Sequence, residues 1–399
     1  VELLPSSYKV KAATLPKGKY RSITGNQATA WGILAAGEKS KLNLFLGTYP
    51  ITPATDILHE LTKYKNFNVV ALQAEDEIAG ICSAIGASFA GSLALTTTSG
   101  PGLALKGEAI GLAMMTELPL VVINVQRGGP STGLPTKTEQ SDLLQAVYGR
   151  NGESPVIVLA ASTPSNCFDF AYMAAKLAVE HMTPVILLTD GFIANGAEPW
   201  KIKSVGEMDE INPALVAEGT KDWHPYVRTE DKLNRNWAIP GTKGLEHRIG
   251  GLEKQDITGN VSYDPNNHEE MVKLRAEKVK RVANFIPDLT VNGDKDADLL
   301  VVGWGGTYGG LHTAVNEMLA DGKSIAHAHF NFINPLPKNT AEIFAKFKKI
   351  IVCELNNGQF VKLLQSDLPQ FDYLQYNKIQ GLPFSKGQLI NEFDNLIGA

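Results

Sequence analysis

The apolar and polar positions of this chain alternate between two periods. Short runs dense in apolar and β-branched residues recur at Leu42–Leu46, Asn68–Leu72, Leu93–Thr97, Leu120–Val125, Pro155–Leu159 and Pro184–Leu188. Runs of that length and composition are strands buried on both faces. The stretches between them carry a helical period: a small-residue helix over Gly25–Gly37, one near Asp56–Lys65 with Ile57, Leu58 and Leu61 on one face, and Ser165–Glu180. Strands alternating with helices predict a mostly parallel sheet covered on both sides. From Trp200 to about Asp296 the pattern weakens into polar, turn-rich sequence with one charged helix expected over His268–Phe285. Alternation returns at Asp298–Val302, Ser324–His329 and Lys349–Val352. The expected division is therefore a polar, linker-like tail over 1–21, an α/β domain over 22–200, an irregular connecting segment over 201–296 and a smaller α/β domain over 297–399. The chain begins at Val1 rather than Met, and the tail leads us to expect a piece of a longer polypeptide with a further domain upstream.

Composition narrows the function. A chain of 399 residues exceeds one ordinary core, which agrees with two or three domains. A net charge of -5 and a pI near 6.0 argue against a nucleic-acid footprint. The three cysteines (Cys82, Cys167, Cys353) are scattered and form no CxxC pair, so neither a disulfide framework nor iron–sulfur ligands are expected. No apolar run reaches the roughly 18 residues of a membrane span, and no charged-then-apolar leader precedes the first helix, so the cytoplasm is the expected compartment.

In open α/β sheets, ligands gather beyond the carboxyl ends of the strands. Three such ends carry candidate chemistry. Glu75-Asp76-Glu77 opens the lean helix Ile78–Ala90; acids in a first turn ordinarily complement the helix dipole, yet Ala79, Gly80, Ser83, Ala84, Gly86 and Ala87 leave room for close approach by a backbone or a flat ligand. Thr98-Ser99-Gly100-Pro101-Gly102 follows a strand as a glycine turn. The strand Leu118–Gln126 ends in Arg127, which is either a structural ion-pair member or a planar fork for a substrate carboxylate.

Competing motifs fail on context. Gly100–Leu105 imitates a dinucleotide fingerprint, but Leu105 stands where glycine or alanine is needed and the next strand ends in Gln126-Arg127 instead of an acid. Gly129-Pro130-Ser131-Thr132-Gly133 fits G-x-S-x-G, but Pro135 postpones the helix that a nucleophile elbow requires. His327 and His329 share a strand face without further nearby ligands, His59-Glu60 lacks its later histidine, and no P-loop occurs.

Beyond these residues, the chain resembles the alpha subunit of the 2-oxoacid:ferredoxin oxidoreductases, most closely the 2-oxoglutarate type. The likeness runs from about Thr24 to the end and is carried by Tyr49–Pro53, Ala74–Ala79, Thr98–Gly102, Gln126–Thr136 and Gly303–Gly309. It implies a thiamine-diphosphate pyrimidine-binding-type parallel-sheet domain followed by a smaller transketolase C-terminal-like α/β domain. It also implies oxidative decarboxylation of a 2-oxoacid to an acyl-CoA, with electrons passed to ferredoxin. Glu77 matches the glutamate that bonds the pyrimidine N1′, a placement that its spacing to Gly86 reproduces and Glu75 would break. Thr52 and Arg127 match the residues that contact the substrate carboxylate, and Ser99 and Gly100 line the cofactor ring. The diphosphate-holding Gly-Asp-Gly motif is missing, since Asp190-Gly191 lacks its leading glycine. The resemblance places Mg2+ and a [4Fe-4S] cluster on a beta subunit, and implies coenzyme A as co-substrate and a gamma-type domain as a further partner. Pyruvate or branched-chain specificity, or a non-catalytic assembly or regulatory role in such a complex, are the alternatives.

Overall fold

The computed structural model describes residue 12 and residues 14–398; residues 1–11 and 13 of the expected tail lie outside the described residues. Its strands are, in chain order, β1 (Tyr20–Thr24), β2 (Leu44–Thr48), β3 (Val69–Gln73), β4 (Leu93–Thr98), β5 (Leu120–Gln126), β6 (Ile157–Ala160), β7 (Pro184–Asp190), β8 (Ala197–Lys201), β9 (Val291–Gly293), β10 (Leu299–Trp304), β11 (Ile325–Phe330), β12 (Phe332–Asn334), β13 (Lys349–Glu354) and β14 (Leu374–Asn377). A seven-stranded sheet has the order β12-β6-β7-β5-β4-β2-β3, and a five-stranded sheet the order β14-β13-β10-β11-β9. The expected α/β class holds, with parallel pairing through the centre of both sheets and antiparallel strands, β12 and β9, at one edge of each.

The period of two explains the core. Along β5, Val121, Ile123 and Val125 face one apolar cluster, while Leu120 and Val122 face the other. The first cluster lies under the helices Gly25–Ser40 and Asn166–His181, whose small residues let them touch: a Cβ on Gly32 would lie 2.3 Å from the Phe168 carbonyl oxygen. The second cluster is shared, because Leu300, Val302, Ala326, Ala328 and Val352 of the smaller sheet pack into it. Moreover, β12 leaves the smaller sheet to pair with β6, and Asn331 donates from Nδ2 to the Ala160 carbonyl at 2.7 Å. The two sheets are joined by core and by hydrogen bonds.

The segment 201–296 is more than a connection. Its charged helix runs Pro265–Arg281, starting earlier than the apolar period suggests because the Asp264 side chain caps it and Pro265 occupies its first position. Isolated bridges such as Arg228 with Arg235 and Tyr226 with Ile257 fold the remainder on itself, and Tyr226 and Trp237 are fully buried. The anchor is Glu117, a buried carboxylate at the end of the helix Gly107–Thr116. It receives Arg228 Nη1 at 2.6 Å, Arg228 Nη2 at 2.5 Å and Lys278 Nζ at 2.5 Å, while Arg235 Nε donates to its carbonyl at 3.0 Å.

Candidate active site

The carboxyl ends of β3, β2, β4 and β5 lie side by side in the sheet, so the residues that follow them meet. After β3 the acidic trio divides its labour. Glu75 is exposed, Asp76 is the helix cap, accepting from the Ala79 amide at 2.7 Å, and only Glu77 is buried. The ordinary capping role thus belongs to Asp76 and leaves Glu77 free for something else. The lean helix lies flat on β2, since a Cβ on Gly47 would sit 2.3 Å from the Gly80 carbonyl oxygen. That close seat fixes where Glu77 begins.

Opposite Glu77 lies the glycine turn. A Cβ on Gly102 would come within 2.1 Å of Thr98 Oγ1 and 2.9 Å of Glu77 Cγ, so only glycine leaves the carboxyl its place. Among the described residues the Glu77 carboxylate receives no hydrogen bond, although a buried carboxylate ordinarily has partners. Ser99 Oγ, fully buried at the start of the short helix Gly100–Leu105, also has no partner. A bare glycine wall, a buried carboxyl without a donor and a buried hydroxyl without an acceptor fit a flat, nitrogen-bearing ring.

The second half forms after β5. Arg127 is 6% exposed, and its Nη1 donates to the Thr52 carbonyl at 2.6 Å. Its Nε is buried without a partner, so the guanidinium keeps donors for an anion. Thr52 precedes a cis Pro53, whose carbonyl is held by Asn26 Nδ2 at 2.9 Å. A cleft of about 290 Å3 opens beside Thr52, Pro135, Thr136, Gly191 and Asn195. The loop carrying Pro135 is folded tightly by Gly133, whose φ of +52° and 2.0 Å approach to the Gly128 carbonyl oxygen exclude a side chain.

Between the halves stands Asp142, which the sequence did not flag. Its Oδ1 would lie 2.6 Å from a Cβ on Gly100, Asn124 Nδ2 donates to its Oδ2 at 2.9 Å, and its amide donates to Gln126 Oε1 at 3.1 Å. Burial raises its carboxyl above the ordinary range against the lowering pull of Asn124, Ser141 and Arg127. Asp190 is likewise raised by burial; it accepts Thr138 Oγ1 at 2.8 Å and abuts Gly306 of the smaller sheet's first loop. Gln140 completes that joint, donating to the Trp304 carbonyl at 2.7 Å. Lys106, fully buried, donates from Nζ to the Glu77 carbonyl at 2.7 Å. None of these four residues sits in a motif, and no spacing announces them. Glu77 meets Gly102, in the same turn as Ser99 and Gly100, and Arg127 meets Thr52; Asp142 lies against Gly100 and near Arg127. His327 and His329 pack around Tyr308 on the smaller sheet's side of this joint, His329 Nε2 lying 3.0 Å from the Gly305 carbonyl oxygen.

Known proteins agree with this architecture. The family model described as pyruvate flavodoxin/ferredoxin oxidoreductase, thiamine diP-binding, matches residues 39–263. The 2-oxoglutarate oxidoreductase subunit KorA of Mycobacterium tuberculosis is 52% identical over 384 residues, covering 96% of this chain and 58% of that relative. The structure of 2-oxoglutarate:ferredoxin oxidoreductase from Magnetococcus marinus, with 2-oxoglutarate, coenzyme A and succinyl-CoA bound, superposes with a TM-score of 0.89 at 35% identity, over 95% of this chain and 65% of that one. This chain thus spans under two thirds of both. Transketolase from Campylobacter jejuni matches with a TM-score of 0.52 at 10% identity over 95% of this chain and 46% of that one, a likeness of fold alone. With the thiamine-diphosphate model spanning most of the large sheet and both halves of the site, the chain belongs to the pyruvate flavodoxin/ferredoxin oxidoreductase family.

Proposed function

We propose that this chain is the alpha subunit of a 2-oxoglutarate:ferredoxin oxidoreductase, which decarboxylates its substrate oxidatively to an acyl-CoA and passes electrons to ferredoxin. One observation carries the reading: a buried carboxyl without a donor among the described residues (Glu77) and a buried guanidinium with spare donors (Arg127) follow β3 and β5 at the same end of one sheet, with only β2 and β4 between them. The names of the similar proteins supply the substrate, the M. marinus enzyme having been captured with 2-oxoglutarate and coenzyme A.

Thiamine diphosphate, when bound, supplies a nucleophilic carbon and an electron sink for the decarboxylated substrate. Every other duty here belongs to the chain. Glu77 bonds the pyrimidine N1′ and exchanges a proton with it, a transfer its isolation from protein donors leaves free. Ser99 and Gly100 line the ring. Arg127 grips the substrate carboxylate with donors not spent on Thr52, and the Thr52 hydroxyl borders the same end. Orientation is the main contribution, because both grips are set by strand ends that cannot drift.

We assign Mg2+, the [4Fe-4S] cluster and the diphosphate-holding residues to a beta subunit, with a gamma-type domain and ferredoxin as further partners. The edge strand β3 supports a missing neighbour: Val70 and Leu72 stay exposed, as do Ile78 and Leu105, where a strand of a parallel sheet is normally covered. The division at residues 22, 201 and 297 belongs to the same proposal, supported by the two sheets. So does a reducing compartment, the cytoplasm, supported by three unpaired cysteines. No helix among the described residues is long and apolar enough to cross a membrane.

The test is turnover of 2-oxoglutarate with coenzyme A, thiamine diphosphate and a viologen dye, for this chain alone and with a beta subunit. Activity only in the assembled complex is the expected result. Turnover of pyruvate or branched-chain acids instead would keep the chemistry and replace the substrate. Activity of the lone chain would overturn the division of labour, and silence of a properly assembled complex would leave an assembly role.

A further inference from the structure

Lys106 occupies a place that burial alone does not account for. It joins the helices Gly100–Leu105 and Gly107–Thr116, is wholly buried, and makes no ion pair among the described residues. Its one side-chain hydrogen bond runs to the carbonyl of Glu77 at 2.7 Å. Gly102 and Lys106 are four residues apart and so lie on one face of the turn. That face is turned to Glu77: the glycine leaves room for its side chain, and the lysine grips its main chain. Burying an unpaired ammonium is costly, and a methionine would fill the same volume without the cost.

We propose that Lys106 is a positioning residue for Glu77, pinning the first peptide of its helix so that the carboxyl is presented to the pyrimidine N1′ in one orientation. The inference rests on the reading of Glu77 given above. The charged and titratable groups that act on Lys106 are Glu77, Asp76 and the Cys82 thiol. Burial lowers its ammonium to about 8 against their opposing pull, so the charge is present at neutral pH and leaves in the mildly alkaline range.

The test uses the assembled complex loaded with thiamine diphosphate. Near-ultraviolet circular dichroism of the bound cofactor follows the protonation of its pyrimidine ring across pH, for the wild type, Lys106→Met, Lys106→Gln and Glu77→Gln. Lys106→Gln keeps a donor for the Glu77 carbonyl while removing the charge. Both Lys106 variants are expected to keep the wild-type melting temperature or exceed it. Lys106→Met, which takes the donor from the Glu77 carbonyl, is expected to weaken the cofactor signal and to bind thiamine diphosphate about tenfold more weakly, and Lys106→Gln to recover most of that loss. An unchanged signal and affinity in Lys106→Met, or an equal loss in Lys106→Gln, would overturn the inference. If Glu77→Gln leaves the ring signal unaltered, or the wild-type complex binds no thiamine diphosphate, the reading of Glu77 itself fails, a result separate from failure of the Lys106 variants.

Discussion

Glu77 and Glu117 are both buried at the ends of helices, and the protein treats them in opposite ways. Glu117 is saturated: Arg228, Lys278 and, at its carbonyl, Arg235 close around it, and these cations hold its carboxyl far below the ordinary range in spite of full burial. Among the described residues Glu77 has no donor on its carboxylate, and Lys106 is bonded to its main chain instead. The cations differ in the same sense. Arg228 gives both terminal nitrogens to the Glu117 carboxylate, whereas Arg127 gives one to a main-chain carbonyl and none to a carboxylate among the described residues. A buried charge completed by its own chain is a fastener, and one left incomplete has a ligand to wait for. The same residue types therefore serve stability in one place and chemistry in the other. The distinction lies in the partners.

The comparison breaks most sharply at Glu77. Glu77→Gln should lower turnover of the assembled complex by about 10²–10⁴-fold, the usual span for losing a proton-transfer group, with no loss of melting temperature. A variant of near-wild-type activity would place Glu77 with Glu117, among the fasteners. Glu117→Ala should do the reverse. Stranding Arg228 and Lys278 is expected to cost about 3–5 kcal/mol in denaturant unfolding, while the activity of the molecules still folded stays near wild type. A stable Glu117→Ala protein would mean that the segment 201–296 is held by its apolar contacts alone.

A smaller effect is expected at Arg127. Arg127→Ala should raise KM for 2-oxoglutarate by about tenfold to a hundredfold, the worth of a charge-assisted hydrogen bond, with a lesser change in kcat. An unaltered KM would return Arg127 to a structural role under Thr52. The smallest effect is a pH dependence remote from both centres. Burial lowers His181 and His327 to about 3 from an ordinary 6.5. Their folded values are depressed, so each contributes stability that is complete above about pH 6.5 and is lost as pH falls toward 3. The expected slope is about 1.4 kcal/mol per pH unit for each histidine, read from unfolding free energies between pH 6.5 and 5. His327→Gln should flatten that slope by one proton, and an unchanged slope would assign the acid sensitivity elsewhere.

The sequence carried the alternation of strands and helices well, because parallel strands buried on both faces must be apolar throughout and short. It missed β1, β8, β9, β12 and β14, which lie at edges or in the small two-stranded sheet, where half-exposed residues such as those of β14 leave no dense run. The lean composition of Ile78–Ala90 did foretell close approach, and Gly47 against Gly80 is where it occurs. The acidic trio could not be divided by pattern, since adjacent acids differ only in the direction each side chain takes from the first turn.

What the chain's order of residues determined by itself was the class of fold, the strand ends that carry glycines and arginine, and the family, because period and motif are local properties. Only the tertiary structure decided that Glu77 faces Gly102, that Asp142 stands between Gly100 and Arg127, and that Lys106 reaches the Glu77 carbonyl. It also decided that β12 crosses to the larger sheet and that Arg228, Arg235 and Lys278 converge on a glutamate more than a hundred residues away. Those facts rest on side chains meeting across the fold. A buried charge is satisfied or left unsatisfied by partners distant in sequence, and no local pattern records them.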